Sequence, residues 1–91
     1  RDYDTFLRSN PDNIPVLYER AMAKRKLGRH AEAIDDYTQI LRINANQPDI
    51  YLERSRAFHD LGKRAEALSD AKMAKSSGLK VDDLYMQQLQ Q

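Results

Sequence analysis

Two eight-residue phrases, LGRHAEAI from Leu27 to Ile34 and LGKRAEAL from Leu61 to Leu68, constrain the fold of this chain more than any other feature. Gly28 and Gly62 set the step between them at 34 residues. A shift by that step superposes Glu19 on Glu53, Arg20 on Arg54, Ala23 on Ala57, Leu27 on Leu61 and Asp36 on Asp70. Ala31, Glu32 and Ala33 fall on Ala65, Glu66 and Ala67. Further back, Asp2, Tyr3, Leu7, Arg8 and Asn10 fall on Asp36, Tyr37, Leu41, Arg42 and Asn44, and forward, Tyr51 falls on Tyr85. A unit of this length with one buried face cannot stand alone, so the period itself predicts units stacked on one another.

Each unit reads as two helices. In IPVLYERAMAKRKLG, Leu17, Ala21, Lys24 and Leu27 recur at three- and four-residue steps along one face, and Gly28 ends the helix. In HAEAIDDYTQILRIN, Ala33, Ile34, Tyr37, Ile40, Leu41 and Asn44 mark the next face. Residues 48–61 and 64–77 repeat the pair, and Pro15 and Pro48 sit in first turns, where a missing N–H costs little. The short loops require antiparallel neighbours. The chain is therefore expected to be all-α, an α-solenoid of antiparallel helical hairpins and a fragment of a longer array. Residues 1–10 read as the second helix of a truncated repeat, 14–47 and 48–81 as two complete repeats, and 82–91 as a C-terminal capping helix. Gly28, Gly62 and Gly78 are expected at positive φ, with Asn10 and Asn44 as the asparagines able to join them.

The sequence resembles the tetratricopeptide repeat family over nearly its whole length. The family's first aromatic slot holds Leu17, Tyr51 and Tyr85; its close-packing small slot holds Ala21 and Ser55; its tyrosine slot holds Lys24 and Phe58. Ala33 and Ala67 fill the alanine slot, and Tyr3, Tyr37 and Ala71 the second aromatic slot. The linker proline appears as Pro11, with Ala45 and Leu79 in later units. Lys24, standing where an aromatic is usual, is expected to bury its stem and lift its charge to water. The resemblance implies a superhelix whose first helices line an inner groove that holds a peptide or helix of a partner protein.

The residues of that face are Tyr18, Glu19, Met22, Arg25 and Lys26, then Leu52, Glu53, Arg56, His59 and Asp60, with Met86 and Gln87 beyond. Tyr18, Met22, Leu52 and Met86 are expected to form an apolar floor, and Glu19, Glu53, Arg25, Arg56 and His59 charged walls. The expected partner segment has apolar anchors and a lysine or arginine aimed at Glu19 or Glu53. The carboxylate clamp of chaperone adaptors is not expected, because its slots hold Tyr18, Met22, Glu53, Asp83 and Gln87, and acid repels a carboxylate. Self-association as a structural scaffold, through exposed helix faces at the ends of the array, is the alternative. Arg20 and Asp36, like Arg54 and Asp70, are sixteen residues apart, a spacing that antiparallel helices can close within a hairpin. A second geometry pairs Asp2 with Arg20 and Asp36 with Arg54 across hairpins.

Composition limits the other readings. A net charge of +1 over 91 residues gives no basic excess for nucleic acid. Lys24, Arg25 and Lys26 in KRKLGRH stand in a last turn, where cations complement the helix dipole. No cysteine is present, and His30 and His59 fall in different hairpins, so no metal site and no cofactor are expected. The lack of cysteine suits a reducing compartment, which slightly favours the cytoplasm, and it also fits the periplasm. No apolar run spans a membrane. Adjacent Asp35 and Asp36 diverge around a helix, no nucleophile motif or phosphate loop is present, and no catalysis is expected.

Overall fold

The three glycines close their helices as the repeat demands. Gly28, Gly62 and Gly78 have φ of 80°, 79° and 97°. The N–H after each glycine reaches back to the first carbonyl of the last turn, Arg29 to Lys24, Lys63 to Phe58 and Leu79 to Ala74, at 2.8–3.1 Å. This is the Schellman closure, and it turns the chain sharply enough to start an antiparallel partner. Asn10 and Asn44 do not join the glycines. No non-glycine residue among those described has positive φ, and Asn44 is extended at φ −148°. Asn44 ends its helix differently, by donating its N–H to Ile40 and accepting the Asn46 N–H on its side chain.

The structure, a computed structural model, describes residues 3–90. It contains α1 (Tyr3–Ser9), α2 (Ile14–Lys26), α3 (His30–Ile43), α4 (Pro48–Asp60), α5 (Arg64–Ser76) and α6 (Asp83–Leu89), and no strand among the described residues. Asn13 caps α2, its side chain accepting the Val16 N–H at 3.1 Å, and prolines stand in the first turns of α2 and α4. The most closely packed helix pairs are all adjacent in sequence. The helices thus form two layers, α2, α4 and α6 in one and α1, α3 and α5 in the other. The stack is elongated, 42 × 26 × 16 Å.

Burial follows the slots. Ala21, Ala33, Ala57 and Ala67 are fully buried, as are Tyr37 and Ile40, which centre the core of the first three complete helices. A second core joins Ala67, Ala71 and Ala74 of α5 to Val81, Tyr85, Met86 and Leu89. The alanine row makes α5 thin, so α6 lies directly on it. Leu27 departs from expectation: placed on the packing face by its spacing, it is 71% exposed. It follows the last residue of α2, and no described element covers that corner.

The arginine clamps form within hairpins. Arg20 Nε and Nη2 donate to the two carboxylate oxygens of Asp36 at 2.9 and 2.6 Å, and Arg54 holds Asp70 the same way at 2.7 and 2.8 Å. Asp36 and Asp70 are almost wholly buried, so each carboxylate depends on its bidentate partner. The third nitrogen of each guanidinium, Nη1, reaches the preceding second helix, Arg20 to Asp4 at 2.7 Å and Arg54 to Thr38 at 3.2 Å. The cross-hairpin partner of Arg54 is therefore Thr38 and not Asp36, and its repeat equivalent is Asp4. Asp2 lies outside the described residues. Lys24 also corrects the sequence reading. Its Nζ points at Asp36 Oδ2, 3.3 Å away, instead of rising to water. The buried Asp36 carboxylate on α3 lies within reach of the ammonium group and attracts it.

Candidate functional site

Helix α2 supplies Tyr18, Glu19, Met22 and Arg25; helix α4 supplies Leu52, Glu53, Arg56 and His59. These positions recur at helical spacing because the opposite face of each helix is committed to the core by Leu17 and Ala21, or by Ile50, Ser55 and Ala57. Two buried tyrosines organise them into two clusters.

Tyr37 of α3 centres the first. Its ring lies 6.4 Å from that of Tyr18 at a tilt of 53°, and its hydroxyl donates to the Met22 sulfur at 3.3 Å. Burial pushes the Tyr37 hydroxyl up to about 12. Tyr18 is also raised, by burial and then by the carboxylates of Glu53 and Asp49. At the other end of α2, Arg25 donates to Glu53 at 2.8 Å and approaches Asp60 at 3.5 Å. Each of α2, α3 and α4 packs antiparallel to the next, so α2 and α4 run parallel. Met22, Arg25, Lys26, His30 and Asp60 line a shallow pocket of about 260 Å³ at this end. His30 Nδ1 stands 3.6 Å from Asp60, beyond hydrogen-bond reach, and both it and Arg25 Nε are buried without a hydrogen-bond partner.

Tyr85 of α6 centres the second cluster. Ser55, fully buried, donates its hydroxyl to the Ala67 carbonyl at 2.7 Å. Its oxygen lies 2.7 Å from the Tyr85 hydroxyl, so the tyrosine is the donor in that bond. Above the ring, the Arg56 guanidinium sits 5.1 Å from the centroid and His59 packs edge-on at 5.7 Å. Arg56 and His59 are exposed.

The face assembled from these clusters differs from the expected groove in two respects. Met86, expected on the floor, is 8% exposed and belongs to the second core, because α6 settles on the alanine row of α5. Glu53, expected to await a partner's cation, is occupied by Arg25. Tyr18, Met22 and Leu52 remain half-buried on the face, and Glu19 is exposed. The internal role of Asp60 carried one legible signal: an acid in the last turn opposes the helix dipole and calls for a nearby cation. The roles of Tyr37 and Tyr85 as pedestals had no such signal, since both also fit a core slot.

The family model described as tetratricopeptide repeat matches residues 14–47, the hairpin of α2 and α3 with its flanking turns. This hairpin is similar to a tetratricopeptide repeat. The α4–α5 hairpin repeats its glycine closure and its arginine clamp at the 34-residue step. No curated protein matches the chain significantly. Tetratricopeptide repeats generally mediate protein–protein interactions and are generally not enzymes. Among the described residues no cluster of His, Cys, Asp or Glu has the makings of a metal site, and no helix is long and apolar enough to cross a membrane.

Proposed function

We propose that the face of α2, α4 and α6 binds a segment of a partner protein, a peptide or helix laid across the parallel first helices. The proposed contact residues are Tyr18, Glu19, Met22, Arg25, Leu52, Glu53, Arg56 and His59, with Met86 supporting from beneath. Residues 14–47 and 48–81 act as the two complete units of this surface, 1–10 and 82–91 as a half-repeat and a cap. The observation that carries the reading is the half-buried apolar strip of Tyr18, Met22 and Leu52, held between side chains whose positions are fixed by internal contacts. Preset side chains lose little freedom on binding, which favours a rigid recognition surface. Methionine and tyrosine suit it, one adaptable and the other rigid and amphipathic.

Peptides selected on the chain from a random display library test this. They should bind through the strip, protect amides of α2 and α4 from exchange, and lose affinity on Leu52→Asp. Selected peptides that ignore Leu52→Asp, or that protect only the outer layer, would overturn the reading. A second reading, self-association, is favoured by the exposed Leu27 and Leu84, at 71% and 61%, towards opposite ends of the stack. It requires a mass that rises with concentration in light scattering and falls on Leu27→Asp or Leu84→Asp.

A further inference from the structure

We infer that Met22 is a modification site, where hydrogen peroxide converts the thioether to the sulfoxide and the fold meets the new oxygen with hydrogen-bond donors already in place. The inference concerns the folded chain alone and does not rest on the binding face proposed above. A sulfoxide turns an apolar side chain into a polar one and disrupts a core that has nothing to offer it. The surroundings of the sulfur therefore decide the outcome, and the three methionines differ in them. Met86 is 8% exposed among the apolar side chains of the second core. Met73 is 44% exposed on α5, where an oxygen meets water. Met22 is half-buried, and its sulfur accepts the Tyr37 hydroxyl at 3.3 Å.

Two donors near that sulfur lack a strong acceptor. Tyr37 is fully buried, and its O–H has only a thioether, a weak acceptor, as its partner. Arg25 stands three residues after Met22, on the same side of α2, and lines the same shallow pocket. Its Nη1 donates to Glu53 and its Nη2 is directed at Asp60, while Nε is buried with no acceptor among the described residues. A buried donor left unmade carries its desolvation cost uncompensated. One sulfoxide oxygen supplies the missing acceptor, and the rotatable bonds of methionine let it turn towards either donor. The pocket, about 260 Å³ and open to solvent, admits peroxide to the sulfur. In the step, a sulfur lone pair attacks one peroxide oxygen, the S–O bond forms and the O–O bond breaks. The sulfur is oxidised by two electrons. The departing hydroxide takes the proton of the transferred oxygen and leaves as water.

The test treats the folded chain, carrying Met73→Leu, with dilute hydrogen peroxide and maps the product by proteolysis and mass spectrometry. Met22 should gain one oxygen and Met86 none. Urea unfolding of this product should give a folding equilibrium constant equal to that of the untreated chain or higher. With Tyr37→Phe added, the same oxidation should lower the constant by roughly three- to tenfold, the worth of one hydrogen bond. A second pair of variants leaves Tyr37 intact. Met22→Gln brings an amide oxygen to the position and Met22→Leu brings none, so the glutamine variant should be at least as stable as the leucine one. Three results would each overturn the assignment: Met22 unmodified until urea unfolds the chain, an equal loss on oxidation with and without the Tyr37 hydroxyl, or Met22→Gln well below Met22→Leu. None of these measurements involves a partner, so they neither depend on the binding face nor bear on its failure.

Discussion

Asp70 shows how much rests on single side chains. The residue is 5% exposed, and its carboxylate is held at both oxygens by Arg54. Removing one member of such a pair strands a charge, whereas replacing both with apolar residues can be neutral. Arg54→Ala is therefore expected to cost about 3–5 kcal/mol in urea unfolding, and the double variant Arg54→Met with Asp70→Leu much less. Ala33, fully buried between α2 and α3, leaves no room for growth. Ala33→Leu should lower the denaturant midpoint, at a cost of about 1–3 kcal/mol. Tyr37 adds a pH dependence. Its hydroxyl titrates at about 12 in the fold against the ordinary 10, so the folded state holds that proton more tightly than the unfolded chain. The stabilisation is complete below pH 10 and is lost as pH rises to 12, a fall of about 2–3 kcal/mol. Unfolding free energies measured across that window should show the fall, and Tyr37→Phe should flatten it.

At the scale of helices, α6 is secured through Ser55. The serine occupies a slot that demands a small residue, yet its hydroxyl serves both the Ala67 carbonyl and Tyr85. Ser55→Ala would fit the space and leave the buried Tyr85 hydroxyl without its acceptor, at about 1–3 kcal/mol. The loss should appear as faster hydrogen exchange in α6, with α2 and α3 unchanged. The helices, their glycine closures and the clamp within each hairpin were legible in the sequence, because all depend on spacing inside one unit. What was not legible depends on contacts between units. The Arg25–Glu53 bond joins residues 28 apart on different hairpins, and no periodicity announces it. Lys24 was assigned to solvent because its slot was read without the depth of Asp36. Met86 was assigned to the face because the small side chains of α5 draw α6 inward, an effect of one helix on its neighbour. Leu27 keeps its helical phase but lies past the last turn, where phase no longer determines burial.

Across the whole molecule, contacts pass from each helix to the next and no further in any substantial number. Stability in such a stack is close to a sum of hairpins and their interfaces, and loops close over short distances, which favours fast folding. The clamp adds a rule about order. Each first-helix arginine reaches back to a residue sixteen positions before it, Asp4 for Arg20 and Thr38 for Arg54. If residues 14–47 were duplicated in tandem, the new copy of Arg20 would meet Thr38, a partner already in use at the existing junction. The first Arg25 would likewise find the copied Glu19, which shares the repeat position of Glu53. If 48–81 were duplicated instead, the copied Arg54 would meet Lys72, and two cations would face one another across the new joint. At the back-reaching nitrogen of the clamp, then, a copy of the first hairpin meets an acceptor and a copy of the second meets a cation.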